Sequence, residues 1–338
     1  MKQHLTSLIL LFVTYSLSLN AQRITVKNDK FYVTDNQIWI NGANTPWDNW
    51  NDFGGDFDKS FWRNQFQTLR DNGINCTRVW ISCNGEVGIT ISPQGVVSEV
   101  SQKFWTDLDT LFSIAKEKEI YLMIAPVSFD HFKNYHSNFQ SWRNMINSES
   151  NTKSYTDNYI KPLVERFAPN PYFFSIDVCN EIIWLNENAE CGNISWANIQ
   201  RFIAMTAVTV HENSQALVTV GDYVKYYSSQ YSGNKYSDEA LKEQFNHPKA
   251  FWDFNKVHYY SWVGRWFDVH FQKTPASYKM EGKPSMIGEC SANGIYRQNA
   301  GGSDDFVLSL SDAYETAYNN NWQGVMAWTS NGVDGNGA

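Results

Sequence analysis

The chain has 338 residues and a formal charge of −8 without any basic block, which excludes the electrostatic footprint of a nucleic-acid or anionic-membrane binder. Aromatic residues make up 16%, with 14 Trp and 18 Tyr, more amphipathic rings than a core requires; they form either flat binding platforms or a Trp-rich core. The length suits two average domains or one large α/β barrel, which runs to ~250 residues and upward.

Lys2 and His4 give a weakly basic start, residues 5–19 an apolar stretch, and Asn20-Ala21-Gln22 a cleavage point, so residues 1–21 read as a signal peptide. The stretch is short and Ser/Thr-containing for a membrane span, which needs about 20 residues. No Cys follows it closely, so a lipid anchor is not expected. The mature protein, from residue 22, is expected to be secreted (extracellular or periplasmic), without stable membrane insertion; an uncleaved anchor is the alternative.

Residues 23–41 alternate and turn, predicting a small hairpin that leads into Ile38, Trp39 and Ile40. From there strand-like and helix-like segments alternate. Residues 58–72 form a helical pattern with Trp62, Phe66 and Leu69 on one face and Gly73 as its stop. A strand over 75–80 leads to an amphipathic helix at 101–118. Residues 120–126 are the third strand, and 152–167 a helix that ends before Pro169 and Pro171. Residues 173–180 are an apolar run of the kind buried on both faces in a parallel sheet, and it ends abruptly at Asn180-Glu181. Helices at 194–213 and 238–245 flank a strand at 216–220. A strand at 255–260, broken helical segments within 264–280 and a strand at 284–288 follow. Residues 303–319 read as one helix with Phe306, Leu310, Ala313, Tyr314 and Ala317 on its face, and 324–328 as the last strand.

Counting 38–43, this makes eight strands with helices between them, predicting a single (β/α)8 barrel domain over residues 22–338. Only ten Gly-rich residues follow Trp328, too few for an eighth helix, so the native chain is expected to continue. The segments 82–100 and 127–150 read as long loops able to wall one end of a cleft. Five cysteines (Cys76, Cys83, Cys179, Cys191, Cys290) show no metal-ligand spacing. Cys83–Cys191 as a loop disulfide and simple buried thiols both remain open.

Active sites of such barrels lie at the carboxyl ends of the strands. There the sequence places Asn44 to Trp50, Arg78 and Trp80, Asn180-Glu181, Gly221-Asp222-Tyr223, His258-Tyr259-Tyr260, Glu289 and Trp328. Two glutamates from different strands suit glycosidic hydrolysis, in which one carboxyl donates a proton and the other attacks the anomeric carbon. Blander readings exist for each residue: Glu289 as a structural partner of Arg78, Asn180 as a cap, Trp328 as packing. They would have to coincide at successive strand ends.

The set Arg78, Asn180-Glu181, His258-Tyr259-Tyr260, Glu289 and Trp328 resembles the retaining clan of (β/α)8 glycoside hydrolases, and most of all its cellulase/mannanase family, glycoside hydrolase family 5. The resemblance implies Glu181 as acid/base and Glu289 as nucleophile. It implies Asn180 on the 2-hydroxyl, Arg78 and Tyr260 as donors to Glu289, His258 orienting the acid/base side, and Trp328 as subsite floor, with Trp47 and Trp80 also binding substrate. It implies a polysaccharide or oligosaccharide substrate; a monomer is expected, and with no metal cluster or phosphate-binding Gly loop evident, no cofactor or metal. The Arg78-Val79-Trp80 ending near Trp47 and Trp50 favours a mannanase over a cellulase; other β-glycanases, a transglycosylase and an inactive glycan-binding barrel are the alternatives. The chain departs from the family in two places: Ile182 stands where Pro often follows Asn-Glu, and His131, near the end of the third strand, is left out of the core site.

Overall fold

In the computed structural model, residues 23–337 apart from 229, 232 and 281 are described, so the expected signal peptide lies outside the described residues. Fifteen strands are formed among the described residues. β1 (Ile24–Lys27), β2 (Lys30–Val33) and β3 (Asn36–Ile38) make an antiparallel three-stranded sheet, one strand more than the expected hairpin. Asn28 and Thr34, both at positive φ, turn the chain between them.

The barrel strands are β4 (Ile40–Asn44), β5 (Cys76–Trp80), β8 (Tyr121–Ala125), β9 (Phe173–Asn180), β10 (Leu217–Asp222), β11 (Asn255–Tyr259), β12 (Ser285–Cys290) and β15 (Gly324–Ala327). They pair in parallel in sequence order, and β15 closes on β4, so the (β/α)8 barrel is present. Apolar side chains on both faces of these strands leave none of them a solvated side. Helices between them start on capping side chains. Asp58 accepts from the amides of Ser60 and Phe61, Ser101 from Phe104, and Ser195 from Asn198.

Three apolar clusters divide the interior. The largest lies between strands and helices. A second fills the amino-terminal end of the barrel, where Phe31 packs edge-on against Phe174 and Phe254 at 5.4 and 5.1 Å. The β1–β3 sheet therefore plugs that end. The third, Trp47, Trp80, Cys83, Ala125 and Trp328, lies at the carboxyl end.

The expected helix over 303–319 is half correct. Residues 304–308 form β14 (Asp304–Leu308), paired antiparallel with β13 (Ile295–Gln298), and the helix is Leu310–Asn319. Ser309 sets the boundary, because its hydroxyl accepts the Asp312 amide and caps the helix there. Phe306, expected on the inner face, is 63% exposed. The segments read as loops also carry structure: the hairpin of β6 (Ile89–Ile91) and β7 (Val97–Val100), and a helix at Phe139–Asn147. The helix expected from 152 begins at Glu149 and widens into a π turn over Thr156–Ile160, just before Pro162, which has no amide hydrogen to give. All five cysteines are buried and unpaired, so no Cys83–Cys191 disulfide forms. No helix among the described residues is long and apolar enough to cross a membrane.

Candidate active site

β9 runs fully buried to Asn180, and the chain then turns at Glu181 with φ +44°, a left-handed backbone that a non-glycine residue adopts at a cost of about 1–3 kcal/mol. Three hydrogen bonds hold that turn. The Glu181 amide donates to Gly221 O at 2.9 Å, the Trp184 amide to Glu181 O at 3.1 Å, and the Ile183 amide to Asp222 Oδ2 at 3.0 Å. The carboxyl that results faces the barrel mouth. His258 Nδ1 lies 3.0 Å from its Oε1, and Trp184 Nε1 donates to its Oε2 at 2.7 Å. Burial raises its proton affinity above the ordinary carboxylate value, against the opposing pull of the Trp184 hydrogen bond.

Glu289 reaches the same space from β12. Its Oε1 accepts from Arg78 Nη1 at 2.6 Å and its Oε2 from Tyr260 OH at 2.8 Å. Carboxylate oxygens of Glu181 and Glu289 and a ring nitrogen of His258 all lie within 4.8 Å of one another. These three residues form the group among the described residues whose donor atoms could hold a metal ion. Both oxygens of Glu289 are already engaged by protein donors.

Beneath the carboxyls is a buried charge network. Arg78 donates from Nε to Asp177 Oδ2 at 2.7 Å and from Nη2 to Asn180 Oδ1 at 2.7 Å, and Lys256 Nζ donates to Asp177 Oδ2 at 2.7 Å. Arg78, Asp177 and Lys256 are fully enclosed. Two cations, Arg78 and Lys256, face two anions, Asp177 and Glu289, so the burial is electrically balanced. Burial would push Asp177 up, but Lys256 and Arg78 outweigh it and hold the carboxylate below its usual range. Room for the lysine comes from two glycines on neighbouring strands. A Cβ on Gly288 would sit 2.4 Å from Lys256 Cγ, and one on Gly221 2.3 Å from Lys256 Nζ. Register shifts lie between Thr219 and Gly221 against β9, and between Val257 and His258 against β12. They turn Asn180 and Glu289 inward one residue out of simple alternation.

Burial also drives His258 down to about 3, outweighing the nearby Glu289 carboxylate, so the imidazole is neutral. With its one proton placed on Nδ1, the neutral ring is a donor to Glu181, and Nδ1 also lies 3.4 Å from Glu289 Oε2.

Of the expected site residues, Glu181, Glu289, Asn180, Tyr260, Trp47, Trp80 and Trp328 line one cleft of about 710 Å3. Arg78 and His258, counted among the substrate-binding residues as donor to Glu289 and orienter of the acid/base side, touch those carboxyls as expected but lie below the cleft floor: 0% and 1% exposed, they reach the cleft only through the carboxyls they hold. The rings of Trp47, Trp80 and Trp328 pack mutually at centroid distances of 5.1–5.9 Å, with Trp50 4.8 Å from Trp47. Platform and packing are the same residues here. They meet one another edge-to-face or tilted, and all three line the cleft. On the opposite side of Glu181, Trp184, Tyr223 and Trp262 form a second aromatic group.

His131 stays out of the site, with its ring buried against Trp142, hydrogen-bonded to Ser82 and to the Ser128 amide, and driven to about 3 by burial. The strand-end reading missed Asp177, Lys256 and the contact of Trp184 with Glu181. A charged residue inside a buried strand was the available signal for the first two, since each demands a partner.

No family model matches the sequence. The chain is 25% identical to a mannan endo-1,4-β-mannosidase of Cryptopygus antarcticus, over 97% of this chain and 89% of that protein. It is 22% identical to a mannan endo-1,4-β-mannosidase of Mytilus edulis, over 98% and 94%. Its fold superposes on the β-mannanase structure from blue mussel, Mytilus edulis, with a TM-score of 0.78 at 21% identity, covering 93% of each chain. The resemblance read from the strand ends and the similarity of the whole chain thus lead to the same group of glycosyl hydrolases.

Proposed function

We propose that this chain is a retaining endo-β-1,4-mannanase that works by double displacement, with Glu289 as nucleophile and Glu181 as acid/base. The observation that carries the reading is that an oxygen of each carboxyl lies within 4.8 Å of the other, both beside one ring nitrogen of His258, which leaves little room for a water between the two groups. Retention needs roughly 5–5.5 Å, whereas inversion needs about 6.5–9.5 Å to admit a water between them.

In the first step a Glu289 oxygen forms a bond to the anomeric carbon while Glu181 delivers its proton to the departing glycosidic oxygen. The electron pair of the broken bond leaves with that oxygen. In the second, Glu181, now ionised, takes a proton from water as the water's oxygen displaces Glu289. The groups around each carboxyl suit these roles. Burial favours the protonated form of Glu181 that the first step consumes. Arg78 and Tyr260 donate to Glu289, and burial keeps the Tyr260 phenol protonated as a donor. Asn180 spends its oxygen on Arg78, so its amide nitrogen is the atom available to a sugar 2-hydroxyl. Trp47, Trp80 and Trp328 offer ring faces to pyranose rings.

The names of both curated relatives direct the choice of mannan. Initial rates on mannan, glucomannan, carboxymethyl cellulose and xylan should be highest on mannan, and inactivity on all four contradicts the assignment. Glu289→Gln keeps an acceptor for Arg78 and should lower turnover by about 10^4-fold or more in a protein that still folds, with some loss of stability because one buried anion is removed. Near-normal turnover would remove Glu289 from its role. Export completes the reading. Mass spectrometry of the secreted protein should find Gln22 at its amino terminus and light scattering the mass of one chain; a retained leader or a stable dimer contradicts these points.

A further inference from the structure

We infer that Trp184 is the positioning residue of the proton donor: its indole N–H holds the Glu181 carboxyl on the leaving-group side of the cleft. This rests on Glu181 being the acid/base. Trp184 stands three residues beyond Glu181, at the start of the short helix Trp184–Glu187, so one helical turn brings its ring back over that carboxyl. The bond from Nε1 to Oε2 is 2.7 Å.

The ring is itself held. Trp262 and Tyr223 each lie 6.3 Å away by centroid, and Tyr223 packs edge-on against Trp262 at 5.2 Å. Tyr223 OH is tied to Glu187 Oε2 at 2.6 Å, which closes the group onto the same short helix. Trp262 lines the cleft. A proton donor faces the oxygen that leaves, so this aromatic group lies where the leaving sugars bind. Sugar on Trp262 and the orientation of Glu181 by Trp184 therefore meet in one aromatic group.

An indole N–H only donates, and donation to a carboxyl favours its ionised form. Trp184 thus keeps Oε2 as an acceptor and fixes the plane of the carboxyl, with Oε1 beside His258. Other groups face Glu181 from every side: His258 and Lys256 on β11, Glu289 on β12, and Arg78 on β5. Asp222 ends β10, and Asp130 and Tyr260 lie in the strand-end loops. All are retained in a Trp184 variant, which isolates the N–H.

The test is the pH dependence of kcat/KM for wild type, Trp184→Phe and Trp184→His, on mannan and on an aryl mannobioside with an activated leaving group. Trp184→Phe keeps a ring and loses the donor. Its alkaline limb on mannan should move to higher pH and its kcat/KM there fall about tenfold, while the aryl substrate, which needs no protonation, changes less than about twofold. Trp184→His keeps a ring N–H and should retain the wild-type limb; it carries the test alone if the phenylalanine variant does not fold. An unmoved limb in Trp184→Phe, equal losses on both substrates, or a moved limb in Trp184→His would overturn the inference and leave the hydrolase reading standing. A wild type inactive on every β-glycan would overturn both.

Discussion

Glu181 combines an unusual backbone with an ordinary side chain. Its left-handed φ is maintained by the bond from the Ile183 amide to Asp222, a buried carboxyl whose proton affinity burial and the neighbouring Glu181 raise well above normal. Within the turn Ile182 is fully buried, and an aspartate on the next strand ties the turn down. His258 supplies a second test at this scale. With its affinity lowered to about 3, its ring should stay neutral from pH 8 to pH 5 in proton–nitrogen correlation spectra. A titration midpoint near 6.5 would contradict the neutral donor assigned to Nδ1. The strand-end residues were legible because a charge closing an apolar run has no structural purpose in a core. Trp184 was not: one Trp among 14 is indistinguishable from packing until the turn that carries it is seen.

At the scale of elements, the strands were legible and their bulges were not. Alternation along β9 and β12 misplaces Asn180 and Glu289 unless the register shifts are known, and the shifts depend on what the neighbouring strands bring to the same level. Lys256 is the reason those levels need Gly221 and Gly288. Removing Asp177 leaves Arg78 and Lys256 buried without their shared partner. Asp177→Ala should therefore cost about 3–5 kcal/mol in denaturant unfolding. A loss below about 1 kcal/mol would show that the network does not bear on the fold. Of the β13–β14 hairpin, only β14 falls in the segment whose spacing predicts a helix, because Phe306, Leu310, Ala313 and Ala317 keep helical spacing across the Ser309 boundary, although Gly301-Gly302 just before β14 signals a turn. That matters for function. Tyr296 and Asp304 from this hairpin line the cleft wall.

Across the whole molecule, the two ends of the barrel are treated oppositely. The β1–β3 sheet and the Phe31, Phe174, Phe254 cluster seal the amino-terminal end, and the carboxyl end holds the cleft with aromatic groups on both sides of the paired glutamates. An elongated sugar chain laid across that mouth would stack on the Trp47, Trp80 and Trp328 side and leave by the Trp184 and Trp262 side, with the scissile bond over Glu181. Such an arrangement commits the chemistry to one stereochemical result. The direct measurement is the anomeric configuration of the first product, followed by proton NMR during hydrolysis of a defined β-mannooligosaccharide before mutarotation intervenes. Carboxyl oxygens within 4.8 Å of each other predict that the new reducing end appears first as the β-anomer. Initial appearance of the α-anomer would mean that water attacks directly, and that Glu289 is not the nucleophile.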